Sequence, residues 1–317
     1  MVRLEELEAL DLVLWLQHGA TAAFLVGTNQ STISRRSQRV LTTFQGRLLR
    51  GRHGWKVKSP LLSLLDLQRQ IHQLVRLRRR SGLRLNVPFW SRRLVQGPAP
   101  EGWLINPEQG PLVCEQPLEL LRSHVIDACL VTPTQLEDRE TADLVLFDLY
   151  STRIDLHLLT GRADPSPDPS SEAALDLLHG GRLELPPFLP SSCCASSRRR
   201  FEEIRSRFAL ADSEPGGREG SPLPSLAFLT PVMAMALDGP RPQRLPLQLD
   251  WPYRETLAVL REHADLPAIQ LLADHLRVGL TQAVRALDTE SAVPPAGDRP
   301  EALRAAPLHR RQDRAHR

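Results

Sequence analysis

The chain has 317 residues, enough for two or three packed units at roughly 100–200 residues per domain. Hydrophobic residues make up 41% and charged residues 24%, a globular balance that excludes wholesale disorder. No apolar run nears the roughly 18 residues of a membrane helix, and the start of the chain lacks a basic stretch leading into an apolar core. The cysteines, Cys114, Cys129, Cys193 and Cys194, follow no metal-ligand spacing, which predicts reduced thiols in a cytoplasmic protein.

Charge is unevenly placed. Residues 1–30 carry one basic and four acidic side chains, whereas residues 31–93 carry 16 Lys or Arg against Asp66 alone. The remainder, 94–317, has a net charge of −9. A short basic block on an acidic body suits a small nucleic-acid-binding module; a solvated basic helix, or an arm for acidic protein surfaces, fits the same count.

Leu4 to Gln17 reads as a helix, with Leu7, Leu10, Leu14 and Trp15 at helical spacing and acids in the first turns. Ala20 to Val26 reads as a second, stopped by Gly27. A third run places Ile33, Val40, Leu41 and Phe44 on one stripe, with Asn29 positioned to cap it. Three helices with a tight turn before the third outline a helix-turn-helix. The opposite face of the third helix holds Gln30, Ser31, Thr32, Ser34, Arg35, Gln38 and Arg39, beside Arg36. Such side chains bond base edges and phosphates in a major groove, although a helix with a merely polar outside has the same composition.

Arg47 to Lys58 reads as two short strands around a basic tip that includes Arg50, Arg52 and His53, a wing able to lie along a phosphate backbone. Ser59-Pro60 is expected to open a long helix, Ser as cap and Pro at the first position. In that helix Leu64, Leu67, Ile71 and Leu74 step by three, four and three, the seam of a two-stranded coil between two copies of the chain. An amphipathic helix buried within one subunit is the alternative.

These residues resemble the LysR-type transcriptional regulators. Ala22-Ala23, Val26 and the run Gln30-Ser31-Thr32-Ile33-Ser34 match the family's alanine pair, leucine and recognition-helix start. Gln17-His18 stand where the family has Gly-Ser, Asn29 where it has serine, and Ser37 where it has isoleucine. The resemblance implies DNA contacts on Gln30, Ser31, Thr32, Ser34 and Arg35, with Arg36 and Arg39 on the same helix and Arg50 and Arg52 on the wing. It also implies that the helix from Ser59 to about Arg80 makes a homodimer or tetramer.

More loosely, the rest resembles the family's effector domain, two α/β lobes with a cleft between them, as in periplasmic binding proteins. Independently, short apolar runs such as Ile126–Val131 and Leu144–Phe147 alternate with helical stretches. Leu83–Val87 reads as the first strand, Pro117–Val131 as helix then strand, Trp251–Val259 as the returning strand and Leu266–Leu280 as the last helix. The stretch Ser91–Pro100 shows few helical signals. Trp90, Ser91, Thr132 and Thr134, each just past an expected strand, are candidates to line an effector cleft, against the plainer reading as loop residues.

The expected organisation is therefore a mainly α winged helix-turn-helix (1–58), a linker helix (59–82), a two-lobed α/β effector domain (83–287, second lobe about 160–249) and a disordered tail (288–317). No catalytic or nucleotide-binding motif is present, so the chain reads as a non-enzyme without cofactor. His263 and His275 lie twelve apart, as surface helix positions with no metal motif. Cys193-Cys194 near Arg198–Arg200 could carry a redox-sensing thiol, though composition favours ordinary free cysteines. The expected function is sequence-specific binding of double-stranded DNA, controlled by a small anionic metabolite, with no membrane partner. The alternative is an interaction protein whose basic module binds DNA non-specifically or an acidic protein.

Overall fold

The computed structural model describes residues 2–51, 54–95, 100–107, 117–133, 141–160, 182–184, 225–237, 242–249 and 252–290, together with 199, 202–204 and 206. The head consists of α1 (Leu4–Leu16), α2 (Gly19–Leu25), α3 (Gln30–Thr43) and an antiparallel hairpin of β1 (Arg47–Gly51) and β2 (Gly54–Lys58). The Glu6 carboxylate accepts the Arg3 N–H at 3.1 Å and closes the first turn of α1. Apolar side chains then bury α1 on nearly every side, from Leu7, Leu10 and Leu12 to Leu14 and Trp15, as befits a helix with neighbours all round.

At the end of α1, Gln17 takes a left-handed conformation, φ 58°. Its amide donates to Leu14 O and its Oε1 accepts the Trp55 N–H from the wing. Gln17 thus ties helix to wing. Opposite it, Gly54 (φ 109°) leaves no room for a side chain, because a Cβ there would meet Gln17 Oε1.

The linker helix α4 spans Leu62–Arg79, starting later than Ser59-Pro60 implied. The Ser59 hydroxyl donates to Phe44 O and accepts the Leu61 N–H at 2.9 Å, so the serine closes a turn against α3 rather than capping the helix. Arg80, left-handed at φ 51°, ends α4.

Among the described residues two sheets form the α/β body. The first has the order β4 (Trp103–Ile105), β3 (Leu83–Asn86), β5 (Ala128–Val131), β11 (Tyr253–Leu260) and β6 (Leu144–Thr152). Its β4, β3 and β5 run parallel, and β11 is antiparallel to β5 and β6. The second has the order β10 (Gln243–Gln248), β7 (Asp155–Thr160), β9 (Ser225–Leu229) and β8 (Arg182–Glu184). The chain crosses between them after β6 and again after β10, and the crossings are joined by the Leu249 N–H to Ile154 O bond at 2.9 Å.

Among the described residues the helices α5 (Phe89–Val95), α6 (Pro117–Arg122), α7 (Pro231–Ala236) and α8 (Pro267–Glu290) accompany the sheets. The first corrects the expectation of a non-helical stretch after Ser91: Pro88 opens one short turn-and-a-half, with the Ser91 N–H bonded to Pro88 O. α8 runs ten residues beyond the expected end at Leu280. Among the described residues no helix is long and apolar enough to cross a membrane.

The head is not packed separately. One apolar cluster joins Leu7, Leu10 and Trp15 of α1 to Leu121, Ile126 and Val131 of the body, and to Ala258 and Leu260 of β11. A second fills the space between the two sheets and α8, and takes in Leu77 of α4.

Candidate nucleic-acid interface

α3 is anchored from within and open outside. Ile33, Val40 and Leu41 are buried against α1, while Asn29 Oδ1 accepts the Thr32 N–H and the Ser31 hydroxyl, both at 2.8 Å. The cap expected from the sequence is therefore formed. Gln30, Ser31, Ser34, Arg35, Gln38 and Arg39 are exposed, and Thr32 and Arg36 half-buried. Arg35 leans back along the helix towards Ser31 O and Thr32 Oγ1, each at 3.4 Å.

Arg39 is exposed yet engaged: its guanidinium donates to Glu6 Oε1 at 3.0 Å. The Arg3 N–H and then Arg39 hold the Glu6 carboxyl below its usual range. Ser37 is buried with its hydroxyl unbonded.

On the wing, Arg47, Arg50, Lys56 and Lys58 are exposed. The Arg50 guanidinium sits 5.8 Å from the Trp55 ring centroid, within cation–π range. Lys56 is drawn to the body by Glu119 of α6 at 3.0 Å. Arg52 lies outside the described residues.

α4 carries two unlike faces. Leu64, Leu67, Ile71 and Leu74 are exposed, Leu67 by 57% and Ile71 by 61%. Leu65, Arg69, Gln73 and Leu77 are buried. Arg69 donates to Asp11 of α1 at 2.8 Å and to Asp66 at 3.2 Å. Arg76 grips Asp127 through Nε at 3.1 Å and Nη2 at 2.9 Å. Arg84 of β3 approaches Asp11 at 3.6 Å, donates to Val125 O at 2.7 Å and gives its backbone N–H to Asp127.

Burial, with Arg76 beside it, pulls the Arg84 guanidinium down to about 10, so it remains charged at neutral pH. Burial also opposes the charge on Arg76, but Asp127 outweighs it and raises that group. This chain of ion pairs, joined by Trp15 Nε1 to Asn86 Oδ1 at 3.1 Å, fastens head, linker and body together. The sequence reading missed it, because acids on α1 and arginines on α4 have the spacing of solvated faces.

The expected cleft residues point inward. Trp90 Nε1 donates to Tyr253 Oη at 3.0 Å, and the Ser91 hydroxyl donates to the Glu255 carboxylate, 2.8 Å from Oε1. Trp90, Ser91, Thr132, Tyr253 and Glu255 are all buried. Tyr150 stacks beside Tyr253 at 6.1 Å between centroids. Burial raises the Glu255 carboxyl, and burial with Glu255 nearby raises both tyrosines. Thr134 and the pair Cys193-Cys194 lie outside the described residues. A cleft of about 240 Å³ opens between head and body, lined by Trp15, Trp55, Lys56, Asp66, Arg69 and Glu119 among others.

No protein-family model matches the chain, and no curated protein matches it. In structure it is similar to a hydrogen-peroxide-bound mutant of Corynebacterium glutamicum OxyR, at 14% identity over 94% of this chain and 99% of that one, TM-score 0.46. It is also similar to full-length CbnR in complex with its target DNA, at 12% identity over 87% and 99%, TM-score 0.44. A third similarity is to ArgP from Mycobacterium tuberculosis, at 16% identity over 86% and 96%, TM-score 0.44.

Proposed function

We propose that the chain is a DNA-binding transcriptional regulator of LysR type, acting as a homodimer or tetramer and without enzymatic activity. One observation carries the reading: α3 is locked by its apolar stripe and Asn29 cap while its Gln30–Arg39 face is open to solvent beside a basic wing. Such a helix can enter a major groove with Gln30, Ser31, Thr32, Ser34 and Arg35 towards base edges and phosphates. Arg36, Arg39, Arg50 and Arg52 then supply phosphate contacts, whose strength falls steeply with salt.

In this reading residues 1–58 form the DNA-binding head, 59–82 the linker, 83–287 the effector domain and 288–317 a tail. The exposed row Leu64, Leu67, Ile71 and Leu74 meets the same row of a second copy and spaces the two heads. A small anionic effector is part of the proposal. To reach Ser91, beside Trp90, it must replace the Glu255 carboxylate that Ser91 now holds; Thr132 and Thr134 are the other positions proposed to contact it.

A second reading, sequence-blind binding of DNA or of an acidic protein, is favoured by one fact: Arg39 and Lys56, two of the basic groups in the head, are already paired within the chain. Retention of fragmented genomic DNA at physiological salt, followed by sequencing, separates the two. A few enriched sites with half-sites one or two helical turns apart, lost in a Thr32→Ala, Arg35→Ala double variant, support the regulator. Uniform retention by both proteins supports the second reading.

A further inference from the structure

Three segments far apart in sequence meet where α4 crosses the body, and each brings a side chain that ligates metals. His124 follows α6; Glu262 and His263 form the 3-10 turn Arg261–His263 that follows β11. One ligand atom from each of the three lies within 4.8 Å of the other two. His124 Nδ1 and His263 Nε2 also converge on a single atom of α4, the Gln73 Oε1, at 2.7 and 3.0 Å. His263 Nε2 is 3.3 Å from Glu262 Oε1.

The expectation of His263 as a surface helix position is thereby corrected: the ring is 4% exposed and faces inward. Gln73 is wholly buried, its amide nitrogen fixed by Ile126 O at 3.0 Å. That bond leaves the oxygen aimed between the two rings.

His124, at φ 58°, is the left-handed residue that closes the end of α6, where the Val125 N–H bonds back to Leu120 O at 2.9 Å. Arg76, which bonds His124 O, is neutralised by Asp127, and Arg69 by Asp11 and Asp66.

We propose that His124, Glu262 and His263, with the Gln73 amide oxygen, form a binding site for a borderline divalent cation of the zinc, cobalt or nickel kind. The donor set is two imidazoles and two oxygens, which suits such ions. Zinc-to-nitrogen bonds are about 2.0–2.1 Å, which sets tetrahedral ligand atoms roughly 3.3 Å apart, so an entering ion spreads the Gln73–imidazole contacts of 2.7 and 3.0 Å and draws together the ligand atoms that lie up to 4.8 Å apart. Each ring binds as the neutral tautomer, its proton moved to the nitrogen that now faces away from Gln73. A cation so placed clamps α4, through Gln73, to both ends of the first sheet's connections.

The test uses the full chain, stripped with a chelator and titrated with Zn2+ by calorimetry, then with Co2+ for its visible absorption. One equivalent of Zn2+ should bind, the Co2+ form should show d–d bands of a nitrogen–oxygen site, and the melting temperature should rise and return on chelation. His124→Asn keeps the backbone conformation tolerable and removes a ring; it should abolish binding. Glu262→Gln, at an exposed position, should weaken it by about tenfold or more, while His275→Ala, on the exposed face of α8, should leave it unchanged. Circular dichroism confirms that the variants are folded. Absence of stoichiometric binding in the unaltered chain, or equal binding in all variants, overturns the proposal and leaves the three residues as a hydrogen-bonded clamp.

Discussion

The two faces of α4 differ in what they lack. The side turned into the chain alternates Leu65 and Leu77 with Arg69, Gln73 and, at its edge, Arg76, all with partners; the side turned to solvent carries an uncovered row of Leu64, Leu67, Ile71 and Leu74. Burying apolar surface is the larger driving force, about 25 cal/mol per Å2, so a helix left with its apolar row outside is unfinished as a single chain. Charged contacts are directional, and they hold the helix at one angle between head and body; the apolar row supplies adhesion for a neighbour.

The strongest way to break this division is to attack the inner face. Asp11→Ala leaves Arg69 and Arg84 buried beside an uncompensated gap, and should cost about 3–5 kcal/mol, read as an earlier midpoint in urea unfolding. A stability within error of the unaltered chain would show that the ion pairs do not hold the head.

The outer face is tested by Leu67→Glu with Ile71→Glu. Both side chains are more than half exposed in the chain, so the melting temperature should barely move. Self-association measured by sedimentation velocity should be lost. Unfolding instead of dissociation would mean that the row packs within the chain.

A smaller effect is expected where the reading reaches DNA. Arg35→Ala should lower affinity for a selected site by about 1–3 kcal/mol, roughly tenfold to hundredfold, in a titration at fixed salt. Equal losses on selected and random DNA would reduce Arg35 to a phosphate contact.

Glu255 offers a buried charge away from α4 for comparison. Its folded pKa is raised above the unfolded value, so both states are protonated in acid and the native state is favoured less as pH rises through the raised value. Glu255→Gln should therefore gain stability relative to the unaltered chain as pH rises from the ordinary carboxyl range towards the raised folded value. A constant difference across that range would rule out the titration.

Smallest of all, Ser37→Ala removes a buried hydroxyl without a partner and should stabilise the head by about 1 kcal/mol, visible as a shift in the melting temperature.

Local patterns carried most of the head. The stripe Ile33–Val40–Leu41, the Asn29 cap and the basic hairpin all depend on neighbours within a few residues, and all are formed. The inner face of α4 was hidden for the opposite reason: Arg69 and Asp11, or Gln73 and His263, are partners only after the chain has folded back on itself. α5 escaped because a helix under two turns has too few positions to show a period. Trp90 and Ser91 were legible as residues past a strand, but not their inward bonds, since Tyr253 and Glu255 lie more than 160 positions away.

The shared cluster of α1 with β11 also sets an order of events during synthesis. Leu7, Leu10 and Trp15 are made about 250 residues ahead of Ala258 and Leu260, which cover the same core. At about 5–20 residues per second the wait is roughly 12–50 s. For that time the head has its helices but lacks part of its cover, so its final docking waits for β11.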